Sequence, residues 1–168
     1  MSGHDDPAGS EFGWPVADFD AVRRLRVLAA VAPAAVLHET VFDTAPDRVW
    51  AVAADLEGEL PRWLFPDIAD ARYLPSGPDA TRRLLVRGHS GLRARFDVVL
   101  EPGWCLMQSR FLLGGMAAVA EPGGGTRFAL LGGFRGALRP LAPAARHASE
   151  RAKVRALDRL GDRIRDRS

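Results

Sequence analysis

The spacing of hydrophobic residues changes along the chain, and each change predicts a different element. Residues 18–32 place an apolar residue every three or four positions, which is the period of an amphipathic helix. Asp18 is the expected N-terminal cap of this helix, and Pro33 is expected to end it. We therefore predict an added N-terminal helix over residues 18–33. Its apolar stripe consists of Phe19, Val22, Ala29 and either Leu25 or Arg26.

After Pro33 the pattern becomes that of a sheet. Residues 36–43 are rich in β-branched residues and predict a first strand. Thr44 or Asp47, beside Pro46, then opens a helix that Gly58 closes, and a short apolar segment follows. Short strands joined by tight turns require an antiparallel arrangement. The six further predicted strands are residues 68–74, 81–87, 92–101, 104–112, 115–121 and 126–134.

A long helix is predicted at the C-terminal end, beginning near Pro140 or Pro143 and lasting up to six turns. The first half of its apolar face is lined by alanines, which are too small to fill the space in front of a curved sheet. Strand side chains or a ligand must therefore fill that space. Arginines at every fourth position from Arg151 to Arg167 run beside a row of aspartates, which predicts ion pairs on a solvated face. The apolar face consists of Leu141, Ala145, Ala148, Ala152, Leu157, Leu160 and Ile164.

Composition limits the class of protein. A chain of 168 residues with 47% hydrophobic and 26% charged residues suits one globular domain. Residues 1–17 are rich in Gly, Pro, Asp and Ser and predict a disordered tail. Residues 25–37 are apolar but too short to span a bilayer. The single cysteine, Cys105, cannot form an internal disulfide and favours a cytoplasmic location.

Several kinds of chemistry lack their sequence signals. The four histidines show no metal-ligand spacing. The glycines at 123–125 lie between two predicted strands, where a hairpin is expected and not a phosphate loop. No Gly-x-Ser-x-Gly motif indicates a covalent nucleophile. The C-terminal helix has no aromatic residue for stacking on nucleic acid. We therefore expect no metal, no cofactor and no nucleic-acid partner, and the sequence leaves the oligomeric state open.

Three segments carry a family resemblance. Residues 42–50, FDTAPDRVW, resemble the opening "apolar-Asp-Ala-Pro-Pro-Glu-x-Val-Trp" of the START-like, Bet v 1-like (SRPBCC) superfamily. Residues 60–66 resemble its "Pro-x-Trp-x-Pro" segment, with one extra residue between Trp63 and Pro66. Residues 121–127, EPGGGTR, resemble its "Glu-Pro-x-Gly-Gly-Thr-Arg" hairpin. The resemblance covers about residues 36–166 and is strongest to the polyketide cyclase/dehydrase-like branch.

The resemblance implies an α+β helix-grip fold over residues 34–168. In this fold a seven-stranded curved antiparallel sheet wraps around the C-terminal helix, and two short helices follow the first strand. Members of the superfamily serve as lipid carriers, hormone receptors, cyclases and aromatases. Function must therefore be argued from the residues that line the pocket between sheet and helix.

Strand parity suggests which polar residues enter that pocket. Residues two apart on a strand share a face, so if Phe42 points inward, His38 and Thr40 do too. His38 is then a candidate general acid or base, although the pattern favours a histidine at a strand end that is hydrogen-bonded to backbone or partly solvated. On the strand 104–112, family spacing favours Leu106, Gln108 and Arg110 inward, but the alternating set with Cys105 also fits. An inward Gln108 and Arg110 form a candidate oxyanion site.

These expectations lead to two hypotheses. The first is a carrier or binding protein for a hydrophobic small molecule such as a lipid or polyketide. The second is a cofactor-independent cyclase or aromatase that uses His38, Thr40, Gln108 or Arg110. Trp63 and Phe65 are expected near the pocket mouth, and Trp50 in the core. The other predicted ligand contacts are Phe42, Phe96, Val98, Leu106, Met116, Ala145, Ala148 and Ala152.

Overall fold

Seven antiparallel strands form one sheet in the computed structural model, which describes residues 19–32, 34–64, 66–75 and 82–167. The strand order is β1-β7-β6-β5-β4-β3-β2, so the six-strand meander closes with its last strand beside the first strand of the chain. The strands are β1 Ala35–Phe42, β2 Ile68–Tyr73, β3 Arg82–Gly88, β4 Arg93–Glu101, β5 Trp104–Gln108, β6 Leu112–Ala120 and β7 Thr126–Phe134.

The meander turns are tight, and Gly103 illustrates why. Its φ is 71°, and a Cβ at this position would lie 2.8 Å from the carbonyl oxygen of Ala118 on β6. Only glycine fits such a turn without strain. Because the turn is short, β4 and β5 pair directly, with Glu101 opposite Trp104. The predicted antiparallel meander is therefore confirmed.

Four helices accompany the sheet. They are α1 Ala21–Val31, α2 Pro46–Ala53, α3 Leu60–Trp63 and α4 Ala142–Asp166, the last preceded by a 3-10 helix at Gly136–Leu141. The cap of α1 is Asp20, whose carboxylate accepts a hydrogen bond of 2.7 Å from the backbone N–H of Arg23. The predicted cap Asp18 and the predicted tail lie outside the described residues. No helix of the described chain is long and apolar enough to cross a membrane.

The two faces of the sheet are covered by different helices. On the concave face α4 lies against β1 and β7, and its large residues Leu157, Leu160 and Ile164 are buried there. On the convex face α1 lies against β6, β7 and β1, and buries Val22 and Leu25. Strands β6 and β7 therefore contribute apolar residues to a core on each face, in contrast to an ordinary solvated sheet.

The predicted solvated arginine row of α4 is wrong for its C-terminal half. Arg163 and Arg167 donate hydrogen bonds to the fully buried carboxylate of Glu59, just before α3. Arg159 donates to the backbone carbonyl oxygens of Trp63 and Leu64 at 2.9 Å each. These contacts hold the α3 segment against α4, because a buried carboxylate needs charged or hydrogen-bonding partners.

Candidate functional site

An internal cavity of about 170 Å³ lies between the concave face and the N-terminal half of α4. Two glycines make this space. A Cβ at Gly132 would lie 3.1 Å from Cε of Lys153, and one at Gly114 would lie 3.3 Å from Cε of Met107. Any side chain at these positions would enter the cavity. The wall that faces α4 is formed by Leu64, Phe96, Met107, Leu112, Gly114, Leu130, Gly132 and Phe134.

Helix α4 contributes a polar end to the cavity through Ser149 and Lys153. Lys153 is only 3% exposed, and its Nζ donates a hydrogen bond of 2.5 Å to Oγ of Ser149. Burial lowers the pKa of Lys153 to about 8, against the opposing influence of Glu150. Its ammonium group forms no ion pair in the part of the chain that the structure describes. The cavity therefore combines an apolar wall with one weakly compensated positive charge.

A larger open cleft of about 1290 Å³ adjoins the cavity at the end of the sheet. The two spaces share Leu112 as a wall residue. The cleft lies where the β3–β4 and β5–β6 turns approach the 3-10 helix, which contributes Leu138. Its wall carries several charged side chains, among them Arg95 and Arg135. Arg95 and Asp97 alternate with Phe96 along β4, so this part of the cleft lies on the outer side of the sheet, away from the cavity.

His38 and Thr40 lie on the same side of β1 as Phe42, as strand parity predicts. Phe42 contacts Gly161 of α4 and packs against Phe128 with ring centroids 6.0 Å apart, which identifies this side as concave. Nε2 of His38 is buried and has no hydrogen-bond partner among the described residues. Glu39 points to the opposite side of β1, where its carboxylate pairs with Arg26 of α1 on the convex face.

The inward placement of Leu106, Gln108 and Arg110 is wrong. Leu106 packs with the α1 cluster on the convex face, while Cys105 and Met107 face the concave side. Gln108 accepts a hydrogen bond of 3.0 Å from Nη1 of Arg135 in the open cleft. Arg110 is exposed in the β5–β6 turn. The predicted oxyanion pair therefore does not enter the cavity.

The alternation of residues did not reveal which side of β5 faces inward, because α1 covers the convex face there. Trp104 and Leu106 are as apolar as Cys105 and Met107, because the first pair packs in the α1 cluster and the second pair packs in the concave core. Burial also raises the pKa of Cys105 to about 12, which keeps the thiol protonated and poorly nucleophilic.

The predicted placement of Trp63 near the pocket mouth is also wrong. Trp63 is fully buried and packs edge-to-face against Phe128, with ring centroids 6.4 Å apart. The next residue, Leu64, reaches the cavity wall instead. Trp50 is only partly buried. Phe65, the other residue expected at the mouth, lies outside the described residues.

The other predicted contacts divide into three groups. Phe96 lines the cavity. Val98 and Met116 lie in the concave core, as does Phe42. On α4 the alanines do not form the cavity wall: Ala148 is exposed, and Ala145 and Ala152 are half-buried. The helix is rotated so that residues 149 and 153 point inward.

Sequence reasoning missed Lys153, although a signal was present. The chain has 23 lysine and arginine residues, of which Lys153 is the single lysine and all the rest are arginines. It also lies three and four positions before Ala156 and Leu157, both buried, and so falls on the apolar stripe of α4. A basic residue at a stripe position is unusual enough to mark a candidate site.

Comparisons with known proteins identify the fold. No family model matches the sequence, and no curated protein matches it. The structure is similar to a START superfamily protein from Mycobacterium smegmatis (TM-score 0.56, 13% identity, 80% of this chain and 99% of that one). It is also similar to Zhui, an aromatase/cyclase from Streptomyces (0.56, 20%, 79% and 94%), and to protein NE0264 from Nitrosomonas europaea (0.61, 11%, 82% and 97%).

These likenesses show that the chain has the START-like helix-grip fold, as the sequence resemblance implies. At identities of 11% to 20% the likeness extends to the fold alone.

Proposed function

We propose that this protein binds a hydrophobic small molecule in the cavity beside α4 and acts as a carrier or binding protein. The observation that carries this proposal is the composition of the cavity wall, which is apolar except at the end formed by Ser149 and Lys153. An apolar wall stabilises a ligand by removing its surface from water, and a few polar groups fix its orientation. The buried, unoxidised Cys105 is compatible with a cytoplasmic carrier.

The size of the cavity indicates how a ligand would lie. Ligand sites usually have volumes of about 300–1,000 Å³, and the enclosed space here is about 170 Å³. A ligand larger than this would extend out of the cavity towards solvent. One end would then be buried against Phe96 and Met107, and the other would reach solvent.

The positions of the polar candidates favour carriage over catalysis. An acid–base and oxyanion mechanism needs several polar groups that converge on one point of the ligand. Gln108 and Arg110 lie outside the cavity, so that set is not assembled. A carrier requires no such convergence.

Native mass spectrometry of freshly purified protein tests the proposal. We expect a retained small molecule, or, after delipidation, saturable binding of an environment-sensitive apolar dye. The Phe96→Asp variant places a carboxylate in the cavity wall and should abolish dye binding. A matched Val99→Asp variant changes a position three residues further along β4 that is 50% exposed, and it should bind normally. Equal dye binding by both variants would contradict the proposal.

A second candidate function is a cofactor-independent cyclase or aromatase. The observation in its favour is His38, whose buried Nε2 has no partner among the described residues and lies on the concave side beside Thr40. Zhui, which shares the fold, is an aromatase/cyclase. If the chain is such an enzyme, His38→Ala should abolish turnover and leave ligand affinity within about tenfold. Weakened binding with no turnover of any substrate would leave only the carrier function.

A further inference from the structure

Lys153 brings a positive charge into a space that is otherwise apolar. Its side chain extends over Gly132, whose missing Cβ leaves room for Cε and Nζ. Among the residues that the structure describes, Oγ of Ser149 is the one acceptor of a hydrogen bond from the ammonium. An ammonium carries further N–H donors, and an uncompensated buried charge is costly. The arrangement is therefore incomplete without another acceptor.

The protein does not supply that acceptor from the described chain. Glu150 is the nearest acidic influence on the amine, but its carboxylate pairs with Arg146 at 3.2 Å and lies 3.7 Å from Nδ1 of His147, on the outer side of α4. The remaining wall residues near the amine are apolar or glycine. His38, whose Nε2 also lacks a partner, is on the strand beside β7 and on the same concave face.

We propose that Lys153 binds the carboxylate of an amphipathic ligand whose apolar part occupies the cavity. This inference rests on the proposed binding function and specifies its ligand class as hydrophobic monocarboxylic acids. A carboxylate matches the single positive charge of Lys153, whereas a phosphate dianion would leave a buried negative charge uncompensated. Ser149 holds the amine from the helix side, so its other N–H groups remain for the ligand.

The test compares two probes of equal chain length, octanoate and 1-octanol, by isothermal titration at pH 7. The octanol probe reports the apolar cavity alone, and the octanoate probe adds the carboxylate. We expect the wild-type protein to bind octanoate at least tenfold more tightly than octanol. Comparable affinities for the two would overturn the inference and leave the proposed binding function standing. Failure of both probes to bind would count against both.

Two variants separate the charge of Lys153 from that of the helix as a whole. Lys153→Met keeps the apolar stem and should lose the preference for octanoate while binding octanol within about twofold of wild type. Arg155→Met removes an exposed charge from the same helix and should keep the preference. A preference that persists in Lys153→Met would place the carboxylate elsewhere and overturn the inference.

A direct signal is available because the chain has one lysine. Selective ¹⁵N labelling of the lysine side chain therefore gives a single Nζ resonance. We expect octanoate to shift this resonance and octanol to leave it nearly unchanged. A purely structural lysine would respond equally to both probes, which would contradict the inference.

Discussion

The carboxylate of Glu59 and the guanidinium of Arg163 are joined by two hydrogen bonds, Nε to Oε2 at 2.8 Å and Nη2 to Oε1 at 3.0 Å. Arg167 and Arg62 donate to Oε1 of the same carboxylate at 2.7 and 3.1 Å. The Glu59 side chain is fully buried, so this cluster fixes the loop before α3 to the C-terminal half of α4. The cluster lies at one end of the concave face, and the cavity lies at the other end.

Removing the charge at Glu59 should destabilise the fold. Glu59→Gln keeps the shape but leaves three arginines facing a neutral amide, and we expect a loss of about 1–3 kcal/mol in the free energy of unfolding at pH 7. Denaturant titration measures it. The matched control is Glu150→Gln, whose carboxylate is 35% exposed, and this change should destabilise the fold much less than Glu59→Gln.

The effect of Glu59 should depend on pH. Its arginine partners, Arg163 first, lower the pKa of Glu59 below the ordinary value of 4.5. The folded state therefore binds this proton more weakly than the unfolded state, and the stabilisation is present above pH 4.5. It is lost as the pH falls through the lowered pKa. The stability difference between wild type and Glu59→Gln should shrink on acidification, and a constant difference from pH 7 to pH 3 would contradict this.

The N-terminal helix should contribute substantially to stability. Leu25 is 0% exposed and its Cδ1 lies 2.8 Å from the position that a Cβ on Gly115 would occupy. Leu25→Ala should cost about 2–4 kcal/mol by leaving a hole between α1 and the convex face. Val27→Ala, two positions along and 49% exposed, should change stability by about 0.5 kcal/mol or less. Similar losses in both variants would show that α1 is not packed as described.

Adding one methyl group at Gly132 should reduce the volume of the cavity. Its Cβ would meet the flexible end of Lys153 at 3.1 Å, so the fold should accommodate it while ligand space shrinks. We expect Gly132→Ala to weaken octanol binding by about threefold to tenfold, since each buried methylene group is worth about 0.8 kcal/mol. Gly123→Ala, where a Cβ meets nothing within 4 Å, is the control and should bind as wild type.

How well the sequence predicted the inner face of a strand depended on how many faces of that strand other elements cover. On β4 the alternation of Phe96 and Val98 with Arg95 and Asp97 gave the correct inner face, because solvent covers the outer one. On β5 both faces are buried, and hydrophobicity carried no information about direction. The added helix α1 was predicted from its own period, but its partner surface was not, since nothing in that period says which face of the sheet it covers.

The candidate site was less predictable than the fold. The family opening placed Phe42 and, with it, His38 on the concave side. The rotation of α4 is set by packing of its C-terminal half, a three-dimensional constraint that placed Lys153 inward and Ala148 outward. Trp63 was assigned to the mouth by analogy, whereas its contact with Phe128 puts it in the core.

The buried amine of Lys153 should lower stability at neutral pH. Burial reduces its pKa from 10.5 to about 8, so the native state holds this proton more weakly than the unfolded state does. Charging the amine therefore costs stability below about pH 8, and the cost is relieved as the pH rises from 8 to 10.5. The charged group that acts on it is Glu150 on α4, which opposes the shift.

Lys153→Met removes that cost and should be more stable than wild type at pH 7, by about 3 kcal/mol at most. The advantage should diminish towards pH 10.5, where the amine of the folded protein is neutral and that of the unfolded chain is half deprotonated. Lys153→Arg retains a charge across this range and should therefore be less stable than Lys153→Met at every pH. Urea titrations of the three proteins from pH 7 to pH 10.5 measure the differences, in which the titration of all other groups cancels. A wild type that is as stable as Lys153→Met at pH 7 would mean that the ammonium is better solvated than its 3% exposure implies.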